Sequence, residues 1–149
     1  MDTKLKGDIA EQAVILEALQ HGWGVLKPVG DRLAYDLVLD IHGRLVRIQV
    51  KSAWLDKASG NYITDIRRTK TNRRVMLRQL YRPEDFDFAV IYLQQLQVFY
   101  IFPVSIFTSY KSGIQIVESR KRQRKPRSVD YRDAWNLILQ WATRKETSA

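Results

Sequence analysis

Four residues in the first third of the chain have the types and spacing for phosphodiester hydrolysis: Glu11, Asp36, Gln49 and Lys51. Carboxylates hold a magnesium ion, which prefers hard oxygen ligands and keeps some of its waters. Such a metal acidifies a water and offsets the charge that builds on a phosphate. A lysine beside it orients the attacking water and stabilises the transition state. Gln49 and Lys51 are two residues apart, so on an extended strand both point to one face. Asp36 sits inside Tyr35-Asp36-Leu37-Val38-Leu39-Asp40, and an acid in an apolar run needs a reason. Taken singly, each residue has an ordinary reading, as a solvated helix glutamate or the polar outer face of a strand. Their order and joint spacing are what point to chemistry.

The elements that must carry them can be read from periodicity. Residues 3 to 21 predict a helix, with Ile9, Ala10, Ala13, Val14, Leu16 and Leu19 at three- and four-residue spacing and Gly22 as its stop. Trp23 to Lys27 predicts a short strand closed by Pro28. Leu33 to Ile41 and Leu45 to Ser52 predict an antiparallel hairpin around His42-Gly43. In the second arm Val46, Ile48 and Val50 take one face, expected on the core. Arg47, Gln49 and Lys51 take the other, expected to stay polar. The register that sets the face of Asp36 is left open. Further strands are expected at Asn61 to Ile66, Phe88 to Leu93 and Val98 to Phe102, then a helical turn at Val104 to Phe107. A last helix is expected over Tyr131 to Thr143, with Asp130 as N-cap and Tyr131, Ala134, Trp135, Ile138 and Trp141 on its apolar side. The order predicts one domain over 1–149, an α/β (α+β) fold with a mixed sheet flanked by helices.

This arrangement resembles the PD-(D/E)XK nuclease superfamily, whose core is a helix followed by a β-hairpin carrying the metal ligands. Lys6-Gly7-Asp8-Ile9-Ala10-Glu11 is similar to the first-helix motif, Asp36 to the first motif aspartate and Lys51 to the motif lysine. The chain as a whole looks like the small homing endonucleases of this superfamily that are encoded within group I introns. The resemblance implies a restriction-endonuclease-like core and a magnesium-dependent DNA endonuclease, with Mn2+ able to substitute. It also implies Glu11, Asp36 and Gln49 as metal ligands and a homotetramer built as a pair of dimers. Two positions depart from the pattern. Tyr35 replaces the motif proline, a position that varies widely. Gln49 stands where an acid is usual; its carbonyl can still ligate, but it brings no charge. Two carboxylates rather than three imply weaker metal affinity, with one or two ions left open. The intron-encoded group is similar in accepting glutamine.

Composition agrees with a polyanionic partner. The formal net charge is +9 over 149 residues. Arg67, Arg68, Lys70, Arg73 and Arg74, mixed with Thr69, Thr71 and Asn72, form one basic stretch running to Arg78, expected to read double-stranded DNA. Arg120, Lys121, Arg122 and Arg124 form a second, expected to clamp the backbone. Cutting both strands needs two sites, hence a dimer at minimum. There is no cysteine, which excludes disulfides and thiolate zinc sites. The two histidines lack ligand spacing, and no glycine-rich phosphate loop precedes a helix. The charged, helix-like start is unlike a signal peptide, and no apolar run reaches the roughly 18 residues of a span. A soluble, cytoplasmic protein with no membrane partner is therefore expected. Two other classes fit parts of the pattern. One is a restriction enzyme or junction resolvase of the same fold. The other is a catalytically silent DNA-binding module, which Gln49 motivates. An RNA-binding role ranks last, since no aromatic RNA-reading strand motif is present.

Overall fold

The computed structural model describes residues 2–71, 76–111, 113–118 and 125–144. Helix α1 (Thr3–Gln20) begins at Asp2, whose carboxylate accepts from the Lys4 amide at 3.0 Å. It ends where Trp23 donates to the Ala18 carbonyl (3.0 Å) and Gly22 to that of Leu19 (2.9 Å). Gly22 has φ +82°, accessible to glycine because it lacks a Cβ, so the helix stops at the expected place. Its buried stripe is Ala10, Val14 and Ala18, at four-residue spacing. Leu16 and Leu19, expected on that stripe, are exposed. The contact is centred on these side chains, and the two leucines fall outside it.

Strands β1 (Gly24–Leu26), β2 (Leu37–Ile41) and β3 (Arg44–Ser52) form an antiparallel meander. His42 and Gly43, at φ 54° and 88°, make the tight two-residue turn that matches strand twist. Asp40 buttresses it by accepting from the Gly43 amide at 2.9 Å. The chain continues through β4 (Trp54–Leu55), β5 (Tyr62–Thr64), β6 (Arg67–Thr71) and β7 (Met76–Leu80). Then come β8 (Phe88–Leu93), β9 (Val98–Pro103), α2 (Val104–Phe107), β10 (Ile114–Ile116) and α3 (Trp135–Thr143). The main sheet has the order β1-β2-β3-β8-β9, with β8 parallel to β3 and the other pairs antiparallel. A small sheet β10-β5-β4 and the two-stranded ribbon β6–β7 complete the fold. The mixed sheet flanked by helices is as expected. β4 and β10 are too short for alternation to reveal.

Both faces of the main sheet are covered. On one, α1 and α3 pack over Leu37, Leu39, Val46, Ile48, Val90 and Ile101. On the other, Ala89, Ile91, Tyr100 and Phe102 meet Phe107, Ile114 and Ile116. β8, enclosed by both, is buried along its whole length. The polar face of β3 was expected to remain open; instead the second cluster flanks it, and Gln49 is buried. α3 starts later than expected, and Asp130 does not cap it. Asp133, at φ 47°, ties the chain to β9 through a 2.6 Å bond to the Phe99 carbonyl and a 2.9 Å bond from the Phe99 amide. The helix can begin only after that anchor, and Asp130 pairs with Lys125 at 2.8 Å. Trp135 and Ile138 belong to the core, and the Arg44 guanidinium lies 4.3 Å over the Trp141 ring. Among the described residues no helix is long and apolar enough to cross a membrane.

Ile101, fully buried in the first cluster, tests this core. Ile101→Ala is expected to cost roughly 2–5 kcal/mol in denaturant unfolding, because it removes buried methylenes and leaves a cavity.

Candidate active site

Asp36 lies one residue before β2 rather than inside a longer strand. Its amide donates to the Ile48 carbonyl at 2.8 Å, and its Oδ2 accepts from the Val50 amide at 2.8 Å. Backbone and side chain therefore grip β3 on either side of Gln49. The register Leu37↔Ile48, extended by one residue, sets Asp36 opposite Gln49. Leu37 and Ile48 face the first core, so Asp36, Gln49 and Lys51 share the opposite face. That answers the question left open by the sequence.

Glu11 reaches the same end of the sheet from α1. Its Oε1 is 2.7 Å from the Nζ of Lys27, the residue that follows β1. Burial pushes the Asp36 carboxyl above the usual carboxylate range. The Val50 hydrogen bond opposes this, the charge of Glu11 adds to it, and Lys51 and Lys27 draw it back. The Gln49 amide nitrogen donates to the Val50 carbonyl at 3.3 Å, which leaves its oxygen as the acceptor end. Two carboxylates and an amide carbonyl are hard oxygen donors of the kind magnesium takes. Among the described residues no group of three or more His, Asp or Glu gathers as a metal cluster.

Lys51 donates to the Arg67 carbonyl at 3.1 Å, with its Nζ 5.0 Å from the centre of the Tyr81 ring. Burial lowers its pKa, while Asp65 and then Asp36 hold it up. Asp65 in turn accepts from the Arg67 amide at 2.8 Å and from its guanidinium at 3.1 and 3.4 Å. The resulting clasp holds Arg67, the residue whose carbonyl Lys51 meets. Asp65, Tyr81 and Lys27 all escaped the sequence reading. Asp65-Ile66-Arg67, an acid just ahead of a basic run, was the available signal for one of them; Lys27 and Tyr81 left none. Of the expected DNA contacts, Arg67 is exposed at the start of β6, and Arg68 and Lys70 follow within that strand. Arg73, Arg74, Arg120, Lys121, Arg122 and Arg124 lie outside the described residues.

A family model described as a PD-(D/E)XK endonuclease matches residues 1–138. The chain belongs to the PD-(D/E)XK endonuclease family. Among solved structures, that of a bacterial homing endonuclease, I-Ssp6803I, is similar with a TM-score of 0.91 and 58% sequence identity. The match covers 99% of this chain and 100% of that one. No curated protein matches. In this chain Glu11 lies on α1, Asp36 just before β2 and Lys51 on β3.

The raised pKa of Asp36 has a definite sign for stability. Below about pH 4 the carboxyl is protonated in both folded and unfolded chains, and burial carries no ionic penalty. As pH rises through the raised folded pKa, the unfolded chain ionises first and the fold loses stability. Asp36→Asn never ionises and can keep the acceptor for the Val50 amide. In chelator, its melting temperature is expected to exceed that of the parent at neutral pH, with the gap closing towards pH 4.

Proposed function

We propose that this chain is a magnesium-dependent, homing-type endonuclease that makes a double-strand break at a long site in duplex DNA. One observation carries the reading: the 2.8 Å bond from the Val50 amide, which holds the Asp36 carboxylate beside Gln49 and Lys51. Family membership and 58% identity to a homing endonuclease support it, as does the net charge of +9.

Glu11, Asp36 and the carbonyl of Gln49 would hold the metal, with Mn2+ able to substitute. When bound, that ion supplies acidification of a water and neutralisation of phosphate charge. Lys51 supplies a hydrogen-bond donor to the scissile phosphate and the attacking water. The Arg67 carbonyl and the Tyr81 ring limit where its ammonium can go. Asp65 acts one step back, by holding Arg67.

The β6–β7 ribbon has the dimensions the major groove admits, and it carries Arg67, Arg68 and Lys70. Together with Arg73 and Arg74 these would read bases and neutralise phosphates, while Arg120, Lys121, Arg122 and Arg124 clamp the backbone. A break in both strands requires two active sites, met by a dimer and, by the resemblance to the intron-encoded enzymes of this superfamily, by a homotetramer that lengthens the recognised site.

The test is cleavage of a genomic or random DNA library with magnesium, followed by sequencing of the ends. Ends converging on one long motif are expected. On that motif, Lys51→Ala and Asp36→Ala are each expected to slow cutting at least ~100-fold while DNA binding persists. Unchanged cutting by both variants would remove the site assignment. Cutting confined to four-way junctions would instead make the chain a resolvase.

A further inference from the structure

Lys27 stands outside the hairpin motif yet touches its chemistry. It follows β1 directly, and the register Leu26↔Val38, extended by one residue, sets it opposite Leu37, the residue after Asp36 in the chain. Its Nζ lies 2.7 Å from Glu11 Oε1. Asp8, one turn earlier on α1, and Asp36 also act on its charge, and all three acids favour the ammonium form. A lysine pairing with a glutamate is ordinarily a surface ion pair of small effect. This one differs in its partner and its surroundings. The ammonium sits on a carboxylate assigned above to the metal, within reach of the charge of a second. Two acids that repel each other at the end of a sheet need a cation, and among the described residues Lys27 is the one paired with Glu11. Its side chain is 57% exposed, so a long flexible stem can carry the ammonium away without disturbing the core.

We infer that Lys27 is a resident counterion of the metal site, holding Glu11 when no metal is bound and releasing it when a divalent cation enters. The inference rests on the metal-ligand reading given above. A metal that must displace an internal cation binds with an affinity reduced by the fraction of molecules in which Glu11 is free. The ion pair offsets part of the repulsion between the two carboxylates while no metal is held. It also sets a threshold of metal concentration for assembly of the site.

The experiment is calorimetric titration of Mn2+ into chelator-stripped protein, without DNA, for the parent, Lys27→Met, Lys27→Arg and Lys57→Met. Lys27→Met is expected to tighten Mn2+ binding about fivefold, within the range a partly exposed ion pair can supply. Lys27→Arg keeps the charge and should stay within about twofold of the parent. Lys57→Met, an equal loss of charge on an exposed loop, should not tighten binding. In a Glu11→Gln background the effect of Lys27→Met should vanish, since the coupling runs through that pair. Melting curves in chelator verify that each variant is folded. Binding by the parent with an equal or weaker affinity in Lys27→Met would overturn the role of Lys27 and leave the metal site standing. Absence of Mn2+ binding in every variant, repeated with target duplex in a Lys51→Ala background, would overturn the metal-ligand reading and this inference with it.

Discussion

The hydrogen bond from the Val50 amide to Asp36 Oδ2 is the contact on which the site depends. It satisfies a half-buried carboxylate whose charge both burial and Glu11 disfavour. With it, a main-chain group of β3 fixes the acid relative to side chains on the same strand. β3 is itself a rigid reference. It pairs with β2 on one side and β8 on the other, and its apolar face is packed under α1 and α3. Position is thus transmitted from the core to Asp36 through backbone, whose geometry varies far less than that of a side chain.

Charge is balanced around this contact in two separate places. At one end Lys27 meets Glu11; at the other Asp65 clasps Arg67 and influences Lys51. Each half of the site therefore has its own counter-charge from a neighbouring segment, just after β1 in one case and just before β6 in the other. Burial acts in opposite directions on the two central groups, disfavouring the anion at Asp36 and the cation at Lys51. Both displacements have the same cause, the enclosure of this end of β3.

Much of this was legible beforehand because it depends on local rules. Alternation along Val46 to Lys51 put Gln49 and Lys51 on one face, and His42-Gly43 dictated the turn that brings Asp36 alongside. What periodicity could not supply was anything set by distant parts of the chain. The second core that buries Gln49 comes largely from β8, β9 and β10, far along the sequence. The late start of α3 follows from Asp133 meeting Phe99 across 34 positions. Leu16 and Leu19 matched the helical period, but the width of the contact, set by Ala10, Val14 and Ala18, excluded them. Lys27 gains its partner only after β1 folds back against α1.

The acceptor for Lys51 is a main-chain carbonyl, that of Arg67. Asp65 grips the amide of the same residue as well as its guanidinium, so the grip on the backbone survives a change of side chain. If the ribbon beyond this point reads bases, its side chains can be exchanged while the peptide unit that seats the lysine stays in place. Recognition and hydrolysis would then be separable under selection. A lineage of such enzymes could drift towards new genomic targets one ribbon residue at a time without passing through inactive ancestors, and a designer could follow the same route.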